Sequence, residues 1–218
     1  IKKALREAIA RPLTVVVYGP SGNGKTSLIN SIFNQNFETD DARPCTDEPN
    51  RYEFGDGTKN LTFIDMPGQG EAKSIDDGRE ALWKEYAQNA DVVLLVLSAL
   101  SRSVDRDLEW FKHLVGDEAM EKAIIACNKA DLLDVQDGWL FALSGDEVNI
   151  VGRESIKELI QRKFEYVTER SMDVFGRDVP IVFCSAKTCF QLVDLCKEIQ
   201  KRLPSEASLS FSQFIDSG

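Results

Sequence analysis

The stretch Gly19-Pro20-Ser21-Gly22-Asn23-Gly24-Lys25-Thr26 constrains this chain more than any other. It fits the phosphate-loop pattern G-x-x-x-x-G-K-[ST], and its flanks are the ones the pattern needs. An apolar run over residues 13–18 precedes it, and a helix-like run over 27–33, starting at Ser27, follows. Strand, glycine-rich loop and helix together make an anion cradle. Glycines let successive backbone N–H groups turn inward, and the new helix adds its positive dipole end. In such a cradle Lys25 bridges the β- and γ-phosphates and Thr26 offers its hydroxyl to Mg²⁺. The bland alternative is a glycine-rich turn that carries a lysine by chance, and the flanking strand and helix argue against it.

The remaining periodicities surround this loop with strands and helices in alternation. Strands are expected over 13–18, 51–54, 61–65, 91–97, 123–127 and 179–184, and helices over 27–33, 76–89, 104–115, 155–172 and 188–203. Gly55-Asp56-Gly57 is a hairpin turn signal, so the second and third strands run antiparallel. The unbroken apolar run at 91–97 needs cover on both faces. The expected fold is α/β, a doubly wound, mostly parallel six-stranded sheet with one antiparallel strand. Residues 1–12 read as an N-terminal helix ended by Pro12, 13–203 as the main domain, and 204–218 as a tail. The proline-marked stretch 37–50 reads as a mobile loop.

A domain of 218 residues can bury a large core. A net charge of −10 and a pI near 4.7 argue against broad nucleic-acid binding, which needs a basic footprint. The five cysteines show no C-x-x-C pairing, and three sit in or beside apolar runs, so buried free thiols in a reducing, cytoplasmic setting are expected. No apolar run approaches the length of a transmembrane helix. The chain starts at Ile1 rather than Met, which leaves room for an upstream segment.

Three further signals follow the phosphate loop in an order that matters. Asp65-Met66-Pro67-Gly68 ends the third strand. Asp65 suits a magnesium ligand acting through water, and Gly68 can present its N–H to a γ-phosphate; alone, this is an ordinary strand-end turn. Asn128-Lys129-Ala130-Asp131 ends the fifth strand, and carboxyl ends of strands are where open α/β sheets bind ligands. The Asp131 carboxylate can accept from guanine N1–H and the 2-amino group, whereas adenine would leave it unpaired. The Lys129 stem can pack on the base. Ser185-Ala186-Lys187 ends the sixth strand, where the Ala186 N–H could donate to guanine O6. An ATP-using phosphoryl-transfer enzyme is the rival that Asp131 disfavours.

Taken together these motifs resemble the translation-factor-related GTPases, and within them the Era/TrmE-like group. The stretch Cys45-Thr46-Asp47-Glu48-Pro49, a strand, and then Phe63-Ile64-Asp65-Met66-Pro67-Gly68-Gln69-Gly70-Glu71 look like the bacterial YfjP type. The resemblance covers the chain from about 13 to 203 and implies a G domain that binds Mg-GTP, hydrolyses it slowly to GDP and phosphate, and acts as a switch. A nucleotide-dependent binding module with negligible hydrolysis is the second reading. Thr46 becomes the switch-one threonine that closes over Mg²⁺ and the γ-phosphate, with Thr39 as a competing candidate.

Two departures from the group carry information. Gln69 follows the glycine where an apolar residue is usual, and Gly22 stands where potassium-activated relatives have asparagine. Gln69 is therefore expected either to orient the attacking water, without K⁺ stimulation, or to face solvent with a very low intrinsic rate. Catalysis would rest on Lys25, Mg²⁺ and backbone N–H groups. No arginine in this chain stands out as a cis finger, so a protein effector, a regulator or a homodimer contact is expected to complete the charge stabilisation. The region 132–178 is enlarged over a minimal G domain, and Trp139, Leu140, Phe141 and Leu143 within it form either a satellite core or an interaction loop.

Overall fold

Along the central strands nearly every residue is apolar, and side chains project alternately from both faces, so each face must be covered. A computed structural model of the chain shows how, and it describes residues 12–37, 49–55, 60–68, 77–133, 142–144, 147–149 and 154–203. The elements run β1 (Leu13–Tyr18), α1 (Lys25–Phe33), β2 (Asn50–Gly55), β3 (Asn60–Asp65), α2 (Asp77–Asn89), β4 (Val92–Ser98), α3 (Val104–Met120) and β5 (Ala123–Asn128). After a 3-10 turn, Ala130–Leu132, come β6 (Ala142–Ser144), β7 (Glu147–Asn149), α4 (Glu154–Phe175), β8 (Ile181–Phe183) and α5 (Leu192–Arg202).

Six strands pair in the order β2-β3-β1-β4-β5-β8. β2 is antiparallel to β3, and the other pairings are parallel. Residues of one parity, such as Val16, Tyr18, Val93, Leu95 and Ile125, pack with α2, α3 and α4. Those of the other parity, such as Val15, Val17, Leu94, Val96 and Ile124, pack with α1 and α5. Right-handed crossovers explain this division. From β1 the chain moves through α1 to the edge strand β2 and back along β3, then crosses over β1 to β4 and continues to β8. The direction reverses at β1, and the crevice at such a reversal is where these sheets hold ligands.

The expected six-stranded doubly wound sheet is present, with differences at its margins. The helix expected over 104–115 does end there: Gly116 takes φ 73 and ψ 170, a region open only to glycine, and breaks the Val104–Met120 span into two helical pieces. β8 begins only at Ile181, since Pro180 has no N–H to pair; its carbonyl still accepts from Ile125 N at 2.9 Å. The last helix begins at Leu192, not 188, because Cys189 and Gln191 adopt left-handed φ of 59 and 51. The β6–β7 hairpin inside the enlarged region has no counterpart in the expected elements. Among the described cysteines, Cys127, Cys184 and Cys196 are buried free thiols and Cys189 is an exposed one. Burial pushes the Cys127 and Cys196 thiols up to about 12. No described helix is long and apolar enough to cross a membrane. The N-terminal helix, the hairpin turn at Asp56 and Gly57, Cys45 and the tail fall outside the described residues.

Phe111 anchors the three-helix face. Its ring is fully buried and meets Tyr18 and Phe175 edge-on, with centroids 6.0 and 6.2 Å away. Phe111→Ala should cost about 3–5 kcal/mol, and Phe111→Leu under about 1.5 kcal/mol, in urea unfolding.

Candidate functional site

β1 ends beneath the phosphate loop, which turns back into α1. Gly24, the residue before the helix, has φ 82, and a Cβ there would lie 2.6 Å from Asn128 Nδ2. Glycine is required on both counts. The residue at the cap, Gly24, has no side chain to occupy the N-terminus of α1, the end of a helix that suits an anion. Lys25 is buried, and its Nζ reaches the carbonyls of Gly19 (3.2 Å) and Pro20 (3.4 Å), which hold the ammonium over the loop. Asn23 Nδ2 donates to Val96 O at 3.1 Å and ties the loop to β4.

A second group gathers where β3 ends beside α1. Thr26 Oγ1 donates to Asp65 Oδ2 at 2.5 Å, while Asp65 Oδ1 is buried with no hydrogen-bond partner. Burial pushes the Asp65 carboxyl above its ordinary range, against the pull of the Lys25 ammonium and the Thr26 hydrogen bond. The Tyr52 phenol, from β2, lies near this pair and is pushed up by burial and by the Asp65 charge. An orphaned carboxylate oxygen beside a hydroxyl suits a hydrated Mg²⁺, which takes one or two protein ligands plus phosphate oxygens rather than a protein cage. Gly68 lies against the loop: a Cβ there would come within 2.6 Å of Ser21 N.

The third group lies across a cleft of about 570 Å³ whose lining includes Gly24, Ser27, Asn128, Lys129, Asp131 and Ala186. Asn128 is buried and joins the two sides. Its Nδ2 donates to Asn23 O at 2.9 Å, and its Oδ1 accepts from Ala186 N at 3.0 Å. The Ala186 N–H is thus engaged with Asn128. Lys129 has a left-handed backbone (φ 64), and its Nζ donates to Gly22 O at 2.6 Å, so its stem spans the cleft. Asp131 Oδ1 accepts from Ser185 Oγ at 2.7 Å, which aims the carboxylate. Ser31 Oγ lies 2.9 Å from Ser27 O and 2.7 Å from Ala186 O, so α1 also grips the Ser185-Ala186-Lys187 turn.

The structure therefore gathers the phosphate loop, Asp65, Gly68, Asn128, Lys129, Asp131, Ser185 and Ala186 along one rim, with Lys187 exposed at its margin. Thr46, Thr39 and Gln69 lie outside the described residues. Sequence reasoning missed Tyr52, Asn30 and Ser31. Ser31 follows Ser27 by one helical turn, and Tyr52 shares strand parity with Asn50 opposite Asp65. Those spacings were the available signals.

A sequence model of the family described as 50S ribosome-binding GTPase matches residues 14–129, more than half of the chain. The chain belongs to this GTPase family. Among relatives of this GTPase, the uncharacterized protein YfjP of Escherichia coli strain K12 is 26% identical over 193 residues, covering 88% of this chain and 62% of YfjP. Translation initiation factor IF-2 of Staphylococcus epidermidis is 30% identical over 125 residues, 57% of this chain and 16% of the factor. The GTPase chain thus spans less than two thirds of the length of either relative. Toc33 from Arabidopsis thaliana, solved in complex with Mg²⁺ and GMPPNP, superposes with a TM-score of 0.62 at 17% identity over 92% of this chain and 88% of Toc33. That likeness is one of fold.

The raised Asp65 carboxyl yields a prediction. A folded pKa above the ordinary 3.8 means the native state binds the proton more tightly than the unfolded chain. Its contribution to stability therefore rises as pH falls through that window. In EDTA at neutral pH, Asp65→Asn should be more stable than the parent by urea unfolding. The advantage should shrink as the pH is lowered.

Proposed function

We propose that this GTPase binds Mg-GTP in the cleft, hydrolyses it slowly to GDP and phosphate, and works as a conformational switch. The observation that carries the reading is Asp131, aimed by Ser185 at one end of a cleft whose other end is the phosphate loop. A carboxylate keeps spare acceptor sites after one hydrogen bond, enough for guanine N1–H and the 2-amino group. Lys25 and the α1 N–H groups would hold the β- and γ-phosphates, and Thr26 and Asp65 would hold Mg²⁺, directly and through water. Bound Mg²⁺ neutralises charge on the phosphate oxygens. The chain's own residues do the rest by positioning: Lys25 over the phosphates and Gly68 close to the loop.

Thr46 is the proposed switch-one threonine and Gln69 the proposed orienting residue for water. Both belong to stretches that follow or precede strands bordering the metal end of the cleft. The Era/TrmE-like placement is part of the same proposal and rests on the motifs alone, while the similarity to YfjP and IF-2 supports the wider GTPase relationship. An effector or a second copy of the chain would supply the cation that speeds hydrolysis.

Nucleotide binding by the parent, Lys25→Ala and Asp131→Asn, with GTP, ATP and XTP, tests the base and phosphate contacts. The parent should prefer GTP over ATP by about 100-fold or more, and Asp131→Asn should shift that preference to XTP. Equal binding of ATP and GTP by the parent would overturn the reading. Phosphate release by Gln69→Ala, measured in Na⁺ and in K⁺, tests the hydrolytic role. A rate drop of about tenfold or more with no K⁺ stimulation of the parent is expected; an unchanged rate removes Gln69 from the mechanism.

A further inference from the structure

β8 ends the sheet on the side away from β2, and no described strand pairs with its far edge. Backbone parity shows which groups that edge presents. Pro180 O accepts from Ile125 N, and Cys184 N donates to Cys127 O, both at 2.9 Å. Successive residues of a strand turn their backbone groups to opposite sides. Residues 180, 182 and 184 therefore face β5, while Ile181 and Phe183 each direct one N–H and one C=O to the open side. Prolines often blunt such edges. Pro180 does not, because the N–H it lacks would point at β5.

The open edge lies in a groove of about 470 Å³. α4 contributes Phe164, whose ring is partly exposed and lies 6.1 Å from that of Phe183. α5 contributes Asp194, Lys197, Glu198 and Lys201, and Asp178 adds a charge at the amino end of β8. The four α5 residues are spaced i, i+3, i+4 and i+7, so they form one stripe. Within the chain Lys197 pairs with Asp194, and Glu198 with Lys201 and Arg202. Along the stripe the signs run negative, positive, negative, positive. Read backwards, every sign is reversed. An antiparallel copy of α5 therefore sets Asp194 against Lys201 and Lys197 against Glu198, each contact of opposite sign. A parallel copy would set like charge against like.

We propose that the β8 edge is an interface with a second copy of this chain, related by a two-fold axis perpendicular to the sheet. The axis passes beside Val182. Ile181 of each copy then exchanges both backbone hydrogen bonds with Phe183 of the other, and the two α5 helices lie side by side, antiparallel. Strand pairing and charge pattern demand the same orientation. Such a contact is self-complementary and closes on itself, so assembly stops at the dimer. The groove shares no lining residue with the nucleotide cleft, so this contact is separate from a copy reaching across the cleft and does not rest on what the cleft binds.

Sedimentation of the chain in EDTA without nucleotide tests the interface apart from contacts across a loaded cleft, with urea midpoints to establish that each variant folds. The parent should dimerise in a concentration-dependent way. Asp194→Lys should raise the dimer Kd about tenfold or more, because symmetry counts the changed pair twice. Adding Lys201→Asp to that variant should bring the Kd back to the parent value. Hydrogen exchange reads the strand edge: on dilution to monomer, the Ile181 and Phe183 amides should exchange about tenfold faster or more, while Val182, on the β5 side, stays protected. A monomeric parent overturns the proposal, and so does a dimer indifferent to Asp194→Lys. Failure of Lys201→Asp to restore the dimer removes the antiparallel pairing, and free exchange of Ile181 and Phe183 in the dimer removes the strand contact; either sinks it. A monomer whose Ile181 and Phe183 amides are protected would mean that the chain covers its own edge, which overturns it equally.

Discussion

The Asn128 side chain is 2% exposed and divides its hydrogen-bonding capacity between Asn23 on the phosphate loop and Ala186 on the turn after β8. A buried amide left unpaired costs about 1–3 kcal/mol, so both loops are held to the geometry that satisfies it. Gly24 follows from this constraint, since a side chain there would occupy the space of Asn128 Nδ2. Ser185 and Asp131 follow as well, because the turn that donates to Asn128 also presents the serine that aims the aspartate. The phosphate loop and the turn proposed to meet the base are thus linked through a single residue at the end of β5.

α1 gathers the same contacts from the other side. Residues four apart on a helix share a face. Thr26 and Asn30 form one such pair, the first facing Asp65 and the second clamping Phe37. Ser27 and Ser31 form the next, and Ser31 has one proton for two carbonyls, its own helix's and that of Ala186. The helix that opens with the phosphate loop therefore touches Asp65, the β2 aromatic cluster and the Ser185-Ala186-Lys187 turn within two turns. Lys25 and Lys129 concentrate positive charge on the cleft of a chain whose net charge is −10. An anion is attracted there even though the surface as a whole repels it.

Much of this was legible from residue order. Apolar runs at β1, β4 and β5 announce a sheet covered on both faces, and the phosphate loop and Asp131 announce where it binds. What sequence reading missed depends on contacts between distant segments. Tyr52 reads as a strand residue until the register of β2 on β3 brings it beside Thr26. Asn30 and Ser31 read as ordinary polar positions on a short helix until Phe37 and Ala186 fold against them. The late start of α5 follows from the left-handed backbone at Cys189 and Gln191, which nothing in those side chains advertises. The Ala186 N–H, assigned to guanine O6 from its motif, is bonded to Asn128 in the folded chain.

The β6–β7 hairpin enters between the carboxyl end of β5 and the start of α4, after the turn that carries Asp131. Every outgoing crossover of a parallel sheet leaves from that same rim. Additions there lengthen no buried strand and disturb neither packed layer. The domain can consequently take on new parts where its crossovers leave the sheet, without rebuilding the layers that hold the cleft together.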